Sequence, residues 1–261
     1  MMAAAVEVSL AARWHPYLAA TLDPFSIGRL DQAGLPPTRR RCLMLAVGAS
    51  TVPGWLADRA GRIGRVVATG TDVRVVRPHC GVTVASHDWQ RLPAGRYGLV
   101  WTRLGLAGHR DRDRILPSLA AAAVAAGGVL VVEEWHGWLD PPVLDAATPA
   151  DRRLVDGYLR LMAEKIAPGQ RIDPTWAGRV HAGMRAAGLA AVDTRIDAPV
   201  WPAGSPGALA LAARLHRYRP HLLTLAMTVG QVRRLTELLT DPTSGVVVRG
   251  HPLFSVMGQQ R

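Results

Sequence analysis

Five short apolar runs, each closed by a turn or a polar break, limit what this chain can fold into. Cys42 to Val47 is apolar without alternation and stops at Gly48, the pattern of a strand buried on both faces of a parallel sheet. Arg65 to Thr69, Val82 to Ala85, Tyr97 to Trp101 and Val129 to Val132 repeat it. Trp55 to Ala60 and Arg112 to Ala126 lie between them with helical spacing. Strands alternating with helices mean βαβ units, hence an α/β fold with a Rossmann-like doubly wound sheet.

The flanks follow other patterns. Ser9 to Leu22 and Asp23 to Ala33 read as two helices, each with a Ser or Asp cap, before the breaker Gly34-Leu35-Pro36-Pro37. Beyond Trp138 come a helix from Asp151 to Ile166, another from Pro174 to Ala187, a strand from Ala190 to Ile196, helices from Ser205 to His216 and Val229 to Leu239, and a last strand from Leu253 to Met257. We therefore expect one domain: a helical cap over 1–37, a nucleotide-fold core over 38–138, a helical insert over 139–188, and C-terminal strands and helices over 189–261.

Composition excludes several classes. With 49% apolar and 20% charged residues the chain is an ordinary globular one, and no apolar run reaches bilayer-spanning length. Met1 to Leu10 lacks the basic start and apolar core of a signal peptide, so a cytoplasmic location is expected. Cys42 and Cys80 cannot form a metal cluster alone and read as reduced packing residues; no metal is expected. The net charge of +11 comes from scattered arginines with a single lysine, Lys165, and no nucleic-acid motif accompanies it. No nucleic-acid or membrane partner is expected; the charge suits an acidic partner such as a carrier protein.

Leu22-Asp23-Pro24, Arg41-Cys42-Leu43, Trp55 to Asp58, Gly64 to Thr69, His87-Asp88, Leu92-Pro93, Leu99-Val100, Thr102-Arg103, Gly127 to Glu134, Gly204-Ser205-Pro206 and Gly258 to Arg261 together resemble the class I S-adenosylmethionine-dependent methyltransferases that act on small molecules. The resemblance spans residues 22–261 and implies a seven-stranded sheet, its last strand antiparallel, with the N-terminal helices and the insert capping a substrate pocket. Family members carry an acid and Gly-x-Gly-x-Gly after the first strand, where a side chain would fill the cofactor's space. This chain has Met44, Leu45, Ala46, Val47, Gly48, Ala49 and Ser50 there. The acid that holds the ribose hydroxyls corresponds to Gly70, while Asp72 reads as the cap of the next helix. Asp88 keeps the position used near the adenine, with Trp89 beside it. The resemblance thus implies a degenerate cofactor pocket at Ala46, Gly48, Ser50, Gly70, Asp88 and Trp89, with no cofactor held in the usual way.

Ligands of open α/β sheets bind beyond the carboxyl ends of the strands. That places Glu134, Trp135, His136 and Trp138 at a pocket, His136 as general acid or base and Glu134 as its orienting partner. Tyr17, Trp101, Arg103, Tyr158 and Met162 are further pocket candidates, although aromatic and methionine stripes at helical spacing more often pack a core. Asp111-Arg112-Asp113 reads as a helix start. Three functions remain: a non-methylating enzyme of secondary-metabolite biosynthesis such as a cyclase, isomerase or lyase acting on a hydrophobic small molecule without a cofactor; an S-adenosylmethionine-dependent methyltransferase; and a non-catalytic partner of a biosynthetic enzyme. A homodimer is compatible with each.

Overall fold

The computed structural model describes residues 10, 12–32, 41–61, 64–86, 88–93, 95–137 and 140–261. In chain order the elements are α1 (Trp14–Gln32), β1 (Arg41–Leu45), α2 (Val52–Ala60), β2 (Arg65–Gly70), β3 (Val82–Ser86), β4 (Tyr97–Arg103), α3 (Arg112–Ser118), β5 (Val124–Trp135), β6 (Val143–Asp145), α4 (Pro149–Leu161), α5 (Val180–Ala186), β7 (Ala190–Asp197), β8 (Val200–Pro202), α6 (Pro206–Arg217), α7 (Arg219–Leu225), α8 (Val229–Thr240), β9 (Val247–Arg249) and β10 (Leu253–Gln259). They form two compact units: a sheet unit (23–137, 167–197, 252–261) and an insert unit (1–22, 138–166, 198–251).

The sheet unit carries seven strands in the order β3-β2-β1-β4-β5-β10-β7. β1 to β5 are parallel, and β10 runs antiparallel between β5 and β7, as the resemblance implied. Side chains alternate across a strand, so each continuous apolar run supplies both faces. Cys42, Met44, Leu99, Trp101, Val129 and Val131 pack one face with Leu30 and Leu56 from α1 and α2. Leu43, Leu45, Val100, Leu130 and Val132 pack the other, with Leu116, Val180 and Met184 from α3 and α5. Cys42 is buried as expected, but Cys80 is exposed, and both are free thiols.

The insert unit pairs β6, β9 and β8 into a small antiparallel sheet beside α4, α6, α7 and α8. Its helices start where their caps dictate: Thr148 before Pro149, Ser205 before Pro206, and a Thr228–Gln231 capping box. Among the described residues no helix is long and apolar enough to cross a membrane.

Several boundaries differ from expectation. The two N-terminal helices are one over 14–32, which passes through Pro24. Asp23 does not cap a new helix because its carboxylate is taken by Ser50, Thr51 and Arg103, far along the chain. The helix from Arg112 ends as α-helix at Ser118, directly after Pro117, and widens into a π-helical turn over Leu119–Ala123. Asp111 occupies its N-cap position without a side-chain cap bond. The 174–187 helix is a 3-10 turn, Trp176–Arg179, followed by α5. Strands of three residues such as β6, β8 and β9 carry too little pattern to be read from sequence.

Candidate active site

At the carboxyl ends of the strands, charge appears wherever an apolar run stops. Arg103 and Glu133 end the apolar stretches of β4 and β5, are register partners, and lie on the face shared by Trp101 and Val131. Both are buried. Arg103 donates to Asp23 Oδ1 at 2.6 Å and to Ser26 Oγ at 2.9 Å, both on α1. Glu133 Oε2 accepts from Ser26 Oγ at 2.5 Å and Trp101 Nε1 at 3.2 Å, and the Arg103 guanidinium lies 5.2 Å from the Trp101 ring centre. Burial raises the Glu133 carboxyl above its ordinary range, against the opposing pull of Arg103 and of hydrogen bonds from Ser26, Ser255 and Trp101.

Asp23 extends this network to the loop after β1. It accepts from Ser50 Oγ at 2.9 Å and from the amide and hydroxyl of Thr51, each at 2.6 Å. The loop is further held by Val47 N–H on the Thr69 carbonyl and by left-handed backbone at Ala46 (φ +56°) and Gly48 (φ +54°). Ala46 takes up a conformation that favours glycine and carries a methyl group besides. That methyl, Trp89 Cζ2 and Thr102 Oγ1 close in on Gly105 from three sides, 3.0, 3.0 and 3.1 Å from where a Cβ would stand. Gly70, at the end of β2, is also enclosed: a Cβ there would meet Val76 Cγ2 at 3.0 Å. Asp72 turns away, capping a short 3-10 turn and pairing with Arg74. Asp88 is exposed and accepts from the Gln90 amide.

Glu134 faces the opposite side of the sheet. It accepts the Leu106 amide at 2.7 Å and bonds the backbone of Gly105 and Ala107 as well; burial nevertheless raises its pKa to about 7. Sequence reasoning made it the orienting partner of His136, and the structure corrects this, because its oxygens are committed to the β4–α3 loop. His136 is half-buried, its ring 5.3 Å from Phe254 and near-parallel to it. Among the described residues its ring nitrogens have no hydrogen-bond partner.

The other expected residues fall into three groups. Trp89 and Trp135 are half-buried, Trp89 standing edge-on to His109 at 6.3 Å. Trp101 and Arg103 are corrections: the first is fully enclosed and the second locked in an ion pair, so neither offers a free face. In the insert unit Tyr17 is half-buried on α1, while Met162 and Tyr158 are buried, Tyr158 donating to the Leu211 carbonyl at 3.0 Å; Met162 is core, not lining. Trp138 and His87 lie outside the described residues. Sequence reasoning missed Asp23, Ser26 and Glu133 as one network with Arg103. The parity that puts Arg103 and Glu133 with Trp101 and Val131 was a readable signal; nothing local announced Asp23. Among the described residues no group of three His, Cys, Asp or Glu is placed to hold a metal.

No protein-family model and no curated protein sequence matches this chain. Among solved structures it is similar to the YcgJ protein from Bacillus subtilis, at 14% identity over 91% of this chain and 98% of that one, with a TM-score of 0.54. It is likewise similar to a putative methyltransferase from Bacillus halodurans, at 12% identity over 89% and 97% of the two chains, with a TM-score of 0.51. With its strand order, antiparallel strand and helices on both faces, the chain has the class I S-adenosylmethionine-dependent methyltransferase fold.

Proposed function

We propose that this chain is a methyltransferase-fold enzyme of small-molecule biosynthesis that does not hold S-adenosylmethionine in the usual crevice and rearranges a hydrophobic substrate without methylating it. The observation that carries this reading is the packing at the end of β2. The position matching the family's ribose-binding acid is Gly70, and a Cβ there would stand 3.0 Å from Val76 Cγ2, so an acid fits only if Val76 gives way. In the loop after β1 the Ala46 methyl crowds Gly105, and the Ser50 hydroxyl is tied to Asp23. The residues present do not fit the cofactor: loss of a paired ribose contact alone costs on the order of 2–4 kcal/mol.

His136 supplies the chemistry. It lies just beyond the carboxyl end of β5, is held flat against Phe254, and has ring nitrogens free to take a proton from a substrate carbon or oxygen and return it elsewhere. Trp89 and Trp135, half-buried near strand ends, suit an apolar substrate that must be folded before it reacts. Such a site supports a cyclisation, isomerisation or elimination.

A second reading, a methyltransferase with an unorthodox cofactor loop, draws support from Gly48, which keeps the left-handed turn, and from the exposed carboxylate of Asp88. Metabolite analysis of a gene deletion separates the two. On complementation, a product of unchanged mass, or one lacking water, supports the proposal, and a product heavier by one CH2 supports methyl transfer. Full product from a His136→Ala complement would remove His136 from the reaction.

A further inference from the structure

Gly157 stands in the interior of α4, where glycine costs about 1 kcal/mol relative to alanine. Its own chain does not require it: a Cβ there would meet nothing within 4 Å. Gly157 lies in a groove of about 500 Å3 within the insert unit, lined by Arg153, Leu154 and Leu161 on α4, by Glu164 on the π-helical turn Met162–Ile166 that continues it, and on the far wall by Met227. Next to that wall Leu225 and Val229 are 49% and 60% exposed.

The charges along this stripe divide into two kinds. Arg152 is spent on the carbonyls of Val143 and Leu144, Arg160 on Asp156 and Asp140, and Asp151 on Arg234. Arg153 and Glu164, at opposite ends of the groove, have no ion pair or hydrogen bond among the described residues. Their separation along the helix is roughly 15 Å.

We propose that this face is a self-association surface on which the stripe from Arg153 to Glu164 packs antiparallel against the same stripe of a second copy. Turned end for end, a second copy brings its Glu164 to Arg153 and its Arg153 to Glu164, so that a two-fold axis near Gly157 closes two identical ion pairs. Gly157 lets the backbones approach at the axis, and Leu154, Leu161, Leu225 and Val229 supply apolar area around it. An acidic partner would satisfy Arg153 but set its charge against Glu164; a second copy satisfies both. Such a dimer would form whatever reaction the sheet unit catalyses.

Sedimentation velocity on the full chain at low ionic strength tests it. The wild type is expected to dimerise in the micromolar range. Arg153→Glu and Glu164→Arg, which each bring like charges together, are expected to weaken the dimer about tenfold or more. The double variant Arg153→Glu/Glu164→Arg restores opposite signs and is expected to return it to near wild-type strength. Gly157→Leu is expected to abolish the dimer while raising slightly, and not lowering, the melting temperature of the dilute monomer, since leucine favours the helix and the new Cβ meets nothing in its own chain. A wild type that stays monomeric at 100-fold higher concentration, or a dimer indifferent to both single charge reversals, overturns the proposal.

Discussion

Glu133 and Glu134 are neighbours in sequence, are equally buried, and serve opposite faces of the sheet. Glu133 joins a charged layer under α1 in which Arg103 is the central cation, while Glu134 has no cation partner among the described residues and holds the β4–α3 loop by its amides. The contrast shows that buried acid at these strand ends organises loops on both sides of the candidate site. Burial drives both carboxyls towards their neutral forms; on one side the Arg103 cation opposes it, and on the other the backbone amides of Gly105, Leu106 and Ala107 do.

That difference can be broken experimentally, and the largest effect is expected on the compensated side. Asp23→Ala leaves Arg103 buried without its counter-charge and frees the loop from Ser50 to Val52; urea denaturation should show a loss of roughly 3–5 kcal/mol, the cost of orphaning a buried charge. Asp23→Asn, which keeps acceptor capacity, should lose less.

On the other side the signature is a pH dependence. Because the folded-state pKa of Glu134 is raised to about 7, its neutral form is the better bound one. Its contribution is complete below the unfolded value near 4.5 and is lost as pH rises through 7. Wild-type stability should therefore fall by about 3 kcal/mol between pH 4.5 and 8 relative to Glu134→Gln, measured by chemical denaturation at each pH. Parallel curves for the two proteins would remove this account of Glu134.

A smaller effect sharpens the packing argument at β2. Gly70→Asp alone should cost about 1–3 kcal/mol by crowding Val76, and Gly70→Asp/Val76→Ala should recover part of that in a thermal melt. Smallest of all, Tyr158→Phe removes one hydrogen bond to the Leu211 carbonyl and should lower stability by about 1 kcal/mol.

Much of this architecture was legible in the residues. Continuous apolar runs told of strands buried on two faces, and β1 to β5 fell where those runs lie. Gly70 and Asp72 could also be read locally, since one concerns a missing side chain and the other an i to i+2 cap. What could not be read is whatever depends on partners distant in the chain. Asp23 looks like a helix cap until Arg103, 80 residues away, and Ser50 claim its oxygens, and the helix then runs on through Pro24. Glu134 looks like a catalytic partner for His136 because the two are close in sequence; the loop at Gly105 to Ala107 reaches it first. Trp101 shows the same limit: a tryptophan at a strand end lines a pocket only if nothing lies over it, and here Arg103 and Glu133 do.

The central claim is that the crevice at β1 and β2 is filled by the protein's own side chains rather than shaped for a nucleoside. Calorimetric titration with S-adenosylmethionine and S-adenosylhomocysteine tests it most directly. The account predicts no saturable heat up to ~1 mM of either compound; saturation with a Kd near ~10 µM would contradict it and restore methyl transfer as the function.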